Sequence, residues 1–98
     1  MADVLILEFS GVTVAEYRAV NRALGIDVST GAGEWPDGLL FHASGPVDGG
    51  WGVIDFWESR AHFDTFAAER IGPAMASLGV PGGPPDIHEF PVHEHFPR

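Results

Sequence analysis

His42 and Asp55 are the residues of this chain whose types and spacing point to chemistry done together. They lie in GLLFHASGPVDGGWGVIDFWES, Gly38 to Ser59, which reads as two apolar strands around Asp48-Gly49. An Asp-Gly pair between alternating β-formers is a strong hairpin signal, and a two-residue loop makes Val47 and Gly50 its flanking pair. Counting outward matches Ser44 with Val53, His42 with Asp55 and Leu40 with Trp57. Cross-strand partners share a face, so one face is expected to carry Leu40, His42, Ser44, Trp51, Val53, Asp55 and Trp57. Sliding the loop to Gly49-Gly50 moves the partners but keeps His42 and Asp55 together, whereas an odd-length loop separates them.

A carboxylate accepting from one imidazole N–H fixes the tautomer and raises the basicity of the other nitrogen, which makes His42 a candidate general base oriented by Asp55. The same pair is also a way for two buried polar groups to satisfy each other. Trp51 and Trp57 offer a flat clamp for an aromatic ligand, and equally good core or interface material. The expected site has His42 and Asp55 as its catalytic pair, with Trp51, Trp57, Ser44, Leu40 and Val53 as the wall that binds substrate. Tyr17, the single tyrosine, stands where a hydrophobic staple would place it, and its position favours packing.

The elements that must hold this pair follow from the rest of the chain. Asp3 to Phe9 (DVLILEF) reads as a strand buried on both faces, ended by Ser10-Gly11. Thr13-Val14-Ala15-Glu16 has capping-box spacing, and Val12 with Tyr17 has staple spacing, so a helix begins there and runs to Gly25. Asp27 to Asp37, with Gly31, Gly33 and Pro36, reads as a mobile loop. Ser59 is placed to cap a second helix whose apolar stripe is Phe63, Phe66, Ala67, Ala74, Met75 and Leu78, bent or restarted at Gly72-Pro73. A Pro/Gly cluster, Pro81 to Pro85, leads to a last strand from about Ile87 to Phe96, at an edge because Pro91 cannot donate to a ladder.

The order β-α-β-β-α-β is the split pattern of a ferredoxin-like α+β sandwich, with both helices on one face of a four-stranded antiparallel sheet. Leu5, Leu7, Trp51, Val53 and Trp57 alternate with Val4, Ile6, Ile54 and Phe56, so both faces of three strands are apolar. An exposed apolar sheet is rare in soluble monomers, and a homodimer packing sheet to sheet around a cavity is the economical cover.

Composition narrows the partners. Ninety-eight residues make a single domain, 1–98. With 45% hydrophobic residues and no apolar run near the roughly 20 residues that span a bilayer, a soluble protein without membrane association is expected. The start, Met1-Ala2-Asp3, has no basic region, so no signal peptide is expected, and the absence of cysteine fits a cytoplasmic location. A net charge of −9 repels nucleic acid and anionic membranes. His88, His93 and His95 form His-x-x-x-x-His-x-His, but only His93 and His95 share a face in a strand, and no metal site is expected. The Gly31-Ala32-Gly33 and Gly82-Gly83 runs lack the context of a phosphate loop.

On these elements the chain resembles the dimeric α+β barrel superfamily, in particular the small proteins grouped with antibiotic-biosynthesis monooxygenases. The resemblance rests on the six-element order and on Val53-Ile54-Asp55-Phe56-Trp57-Glu58-Ser59 running into Ala61-His62-Phe63 and Phe66. It implies cofactor-free chemistry on a small apolar, aromatic or polyketide-like molecule inside a barrel, with Trp51, Val53, Asp55 and Trp57 facing the cavity rather than the helices. Haem-degrading members carry tryptophan and histidine where this chain has Phe66 and Ala76, and polyketide-cyclase relatives carry tyrosine and histidine where it has Phe66 and Trp51. Those two activities are not expected. The reading is a cofactor-independent monooxygenase-like enzyme, oxidising a substrate that becomes a carbanion when His42 removes a proton. A cyclase or isomerase would use the same pair without O₂, a non-catalytic dimer would bind the ligand only, and a purely structural dimer would leave no cavity.

Overall fold

The computed structural model describes residues 2–80 and 83–96. Strand β1, Asp3–Ser10, is central in a four-stranded antiparallel sheet ordered β4-β5-β1-β6, with β4 Leu39–Val47, β5 Gly50–Trp57 and β6 Asp86–Pro91. Helix α1, Val14–Leu24, and the helical stretch from Arg60 to Leu78 cover one face. This is the expected α+β ferredoxin-like sandwich.

Local chemistry explains the first helix. Thr13 caps α1, its side chain accepting from Glu16 N–H while the Glu16 carboxylate accepts from Thr13 N–H at 2.9 Å. Gly25 ends the helix in the left-handed region, at φ 77°.

The second helical stretch is capped by Ser59, as expected, but its interruption has another form. Helix α2, Arg60–Phe66, passes into a π-helical turn, Ala67–Ile71, and then into α3, Gly72–Leu78. Pro73 has no N–H to donate and its ring crowds the preceding turn, which disfavours regular α geometry there. Gly72 N–H reaches Ala67 O instead, five residues back. Phe63, Phe66 and Ala74 are buried, whereas Leu78 is 45% exposed and lies off the stripe.

The segment read as a loop from Asp27 to Asp37 holds a small hairpin, β2 Ile26–Asp27 with β3 Ala32–Gly33. The Asp27 carboxylate accepts from the Ser29 hydroxyl at 2.6 Å and from the Ser29 and Thr30 amides, which organises the turn. These bonds, the one from the Ser29 hydroxyl foremost, hold the Asp27 carboxyl below its ordinary value. Arg70, in the π turn, donates to Leu24 O at 2.7 Å and Glu34 O at 2.8 Å, tying this hairpin and the end of α1 to the second helical stretch.

The last strand stops at Pro91, so His93 and His95 lie beyond it and do not share a strand face. Of the Pro/Gly cluster, Pro81 and Gly82 lie outside the described residues.

The buried core is one cluster between sheet and helices, built on Leu5, Leu7, Leu24, Ile26, Val53, Trp57, Phe63, Phe66 and Ala74. Trp57 is 1% exposed and meets Phe63 edge-on, with ring centroids 5.7 Å apart. The opposite sheet face is also apolar. Phe41 (53% exposed), Ile54 (42%) and Phe90 (53%) stand open on it, beside Phe56. Among the described residues no helix is long and apolar enough to cross a membrane.

Candidate functional site

The β4–β5 hairpin sets the site. Val47 pairs with Gly50, Ser44 with Val53 and His42 with Asp55, the register expected from Asp48-Gly49. Gly49 takes φ 75° while Asp48 keeps an ordinary negative φ, so glycine alone absorbs the sharp part of the turn. The pairing shifts near the strand start, where Leu39 lies opposite Trp57 and Phe41 opposite Phe56. Leu40 is the extra residue of this bulge. It is 58% exposed, and Leu39 takes the place on the inner face that alternation gave to Leu40.

The inner face lines a cavity of about 280 Å³. The cavity lies within one chain, between its own sheet and helices, and not between the sheets of two copies. Leu7, Trp51, Val53, Asp55 and Trp57 form its sheet wall, Tyr17, Val20 and Leu24 its α1 wall, and Phe63, Phe66, Ile71 and Met75 its far wall. Trp35, carried by the chain leaving β3, completes it. Trp51, Val53, Asp55 and Trp57 therefore face the cavity by facing the helices, because cavity and helices are on the same side. Ser44 pairs with Val53 but is exposed and lies outside the lining, beyond the helical cover on the edge strand β4.

Three side chains form a hydrogen-bonded line that joins the α1 wall to the sheet wall. His42 Nδ1 stands 2.7 Å from Asp55 Oδ1, and His42 Nε2 stands 2.6 Å from the Tyr17 hydroxyl. A carboxylate only accepts, so Nδ1 carries the proton toward Asp55 and Nε2 accepts from Tyr17. The second oxygen, Asp55 Oδ2, accepts from Trp57 Nε1–H at 3.2 Å. Asp55 is 6% exposed, and with both oxygens engaged its orientation is set from two directions. The Tyr17 ring lies nearly parallel to the His42 ring, at 5° and 6.2 Å between centroids, and the Trp35 ring is 6.1 Å from His42.

Tyr17 and Trp35 are the site residues that local reading of the sequence missed. Tyr17 and Val12 both line the cavity, as a staple pair would, but the Tyr17 hydroxyl reaches across 25 positions to β4. Its being the sole tyrosine was the available signal. Trp35 is placed by the β2–β3 hairpin, with Nε1–H donating to Gly31 O at 3.0 Å. Among the described residues no group of three or more His, Asp or Glu side chains is arranged to hold a metal ion. His88 pairs with Ile6 on the exposed β6, and His62 exchanges a hydrogen bond with Ser59 at the start of α2.

No family model and no curated protein matches the chain. Solved structures do. A variant of SnoaB, a cofactor-independent oxygenase from Streptomyces nogalater, superposes with a TM-score of 0.60 at 14% identity, over 99% of this chain and 97% of that one. A candidate antibiotic biosynthesis monooxygenase from Chloroflexus aurantiacus gives a TM-score of 0.60 at 17% identity, over 97% of each chain. At these identities the likeness speaks for architecture alone, and over essentially its whole length this chain has the α+β fold of these two structures.

Proposed function

We propose that the chain is a cofactor-independent monooxygenase-like enzyme that removes a proton from a small, flat, largely apolar ketone or phenol held in the inner cavity. The observation that carries this reading is the Tyr17–His42–Asp55 line, which brings a proton acceptor to a wall that is otherwise almost wholly apolar. A substrate proton moving onto the Tyr17 oxygen is matched by the tyrosine's own proton moving to His42 Nε2. The resulting imidazolium stands against the Asp55 carboxylate, so charge separates only between substrate anion and a paired cation.

A CH₂ group next to a carbonyl becomes a carbanion by this step. Its electron pair reduces O₂ and forms a C–O bond, giving a peroxide anion whose remaining C–H proton passes to the departing oxygen as the O–O bond breaks. The products are a new carbonyl and hydroxide, which the imidazolium proton converts to water. One CH₂ and one O₂ thus give one C=O and one H₂O. The aromatic walls of Trp51, Trp35, Phe63 and Phe66 would exclude water during the reaction.

The exposed apolar face around Phe41, Ile54 and Phe90 supports a homodimer, each copy covering the other's sheet. Because the cavity lies inside one chain, this assembly shields the sheet and does not form the site.

The test uses 2-tetralone, a flat bicyclic ketone with acidic CH₂ protons. Under argon in D₂O the protein is expected to catalyse exchange of the C1 protons, read by NMR, and under air to consume O₂. Exchange without O₂ uptake would assign the site to isomerisation or cyclisation. Exchange no faster than in buffer would refute proton removal.

A further inference from the structure

The inner face of α1 carries one residue that packing does not explain. Tyr17, Val20, Asn21 and Leu24 all line the cavity, at the spacing that puts them on one stripe of the helix. Asparagine is a poorer helix former than leucine, and a carboxamide among apolar side chains gives up bonds to water. Asn21 is half-buried, and its carboxamide has no hydrogen-bond partner among the described residues.

The other polar side chains at the cavity are taken. The Tyr17 hydroxyl is engaged by His42, the Asp55 oxygens by His42 and Trp57, and Trp35 donates to Gly31 O. Trp51 Nε1 is unpaired but wholly enclosed, beyond the reach of a ligand. The unpaired carboxamide of Asn21 keeps accessible surface, which leaves it as the polar side chain of the lining that a ligand can bond without breaking an existing contact.

Its chemistry and its place say what that ligand carries. A carboxamide donates through Nδ2 and accepts through Oδ1, and a hydroxyl, which also does both, is its complement. Asn21 stands one turn after Tyr17, and residues so spaced have Cβ atoms about 5–6 Å apart. The tyrosine ring carries its hydroxyl away from α1 to His42 on the edge strand, whereas the short Asn21 side chain keeps its carboxamide near the helix. A carbon whose proton meets Tyr17 therefore lies apart from a group bound at Asn21, and the two belong to different ends of a flat molecule.

We propose that Asn21 determines specificity by binding a hydroxyl on the ring remote from the reacting CH₂. The inference rests on the cavity being the substrate site, and it narrows the substrate class to flat ketones that carry a hydroxyl at their far end. Tyr17 and His42 move the proton, and Asn21 fixes which way round the molecule lies.

The test compares 6-hydroxy-2-tetralone, whose hydroxyl lies across the second ring from C1, with 2-tetralone, by calorimetry under argon. It uses the wild type and Asn21→Leu, a variant of similar side-chain shape without the polar atoms. The ratio of the two affinities is expected to favour the hydroxyketone about tenfold more in the wild type, the scale of one neutral hydrogen bond. Asn21 is the chain's only asparagine and there is no glutamine, so the wild type has a single carboxamide ¹H–¹⁵N pair. That pair, read in a protein with unaltered packing, is expected to shift further with 6-hydroxy-2-tetralone than with 2-tetralone. An equal ratio in both proteins, equal signal shifts with both compounds, or no binding of either would overturn the proposal. A wild type that shows the preference without C1 exchange would refute the proton-transfer reading alone, and exchange without the preference would refute the role of Asn21 alone.

Discussion

The Tyr17 hydroxyl meets His42 on Nε2, the nitrogen opposite the one held by Asp55. This places the imidazole between an acidic hydroxyl and a carboxylate, the order needed to pull a proton off the tyrosine and stabilise the cation that results. Helix α1 supplies the tyrosine, the edge strand β4 the histidine and β5 the carboxylate. The capping box, the hairpin register and the sheet–helix packing therefore meet at one site.

Asp55→Asn is expected to cost about 2–3 kcal/mol of stability, because two donors, His42 Nδ1–H and Trp57 Nε1–H, converge on a group that then has a single acceptor oxygen. The amide nitrogen adds a donor facing a donor. Chemical denaturation followed by tryptophan fluorescence measures this, and an unchanged midpoint would show that the carboxylate is not held as described.

The open sheet face predicts dimerisation. Sedimentation velocity should give twice the 10.5 kDa chain mass at micromolar concentration, and Ile54→Lys, placing a charge at the centre of the exposed face, should give the monomer with the cavity intact. A wild-type monomer would leave Phe41, Ile54 and Phe90 in need of another explanation.

Gly33→Ala should loosen the β2–β3 hairpin and the Trp35 that follows it. Gly33 has φ 114°, and a Cβ there would stand 2.2 Å from Gly25 O, a backbone atom that cannot swing away. The strain is on the order of 1–3 kcal/mol. Faster amide exchange at Glu34, whose N–H bonds Gly25 O at 2.8 Å, is the expected sign.

Acid should loosen the same hairpin. The folded Asp27 carboxyl titrates below its ordinary value of 3.8 because it accepts bonds from Ser29 and Thr30. A depressed folded value means the stabilisation is complete above the unfolded value near 3.8 and is lost as pH falls through the lower folded one. Amide shifts of Ser29 and Thr30 followed into acid should move together with the Asp27 carboxyl, and Asp27→Asn should remove that titration.

Much of the site was legible because its key contact is a cross-strand pair. Asp48-Gly49 set a two-residue loop, and alternation then carried His42 opposite Asp55 without knowledge of any other element. The bulge at Leu40 was not legible, since Leu39, Leu40 and Phe41 are all apolar and nothing local says which is extra. Tyr17 was read as packing because its spacing to Val12 is a local signal, whereas its bond to His42 depends on how α1 lies across the sheet. The cavity was expected between two sheets because both sheet faces are apolar, and its true place depends on the space left between the helices and the inner face. The π turn has a trace in Gly72-Pro73, which marked a break without giving its form.

The central claim is that Tyr17 and His42 move a substrate proton, and the C1 exchange rate of 2-tetralone in D₂O under argon tests it most directly. The account predicts catalysed exchange by the wild type, falling about 10²–10⁴-fold in both Tyr17→Phe and His42→Ala, the range that a positioned acid–base group contributes. Wild-type exchange that survives both substitutions, or exchange no faster than in buffer, would contradict it.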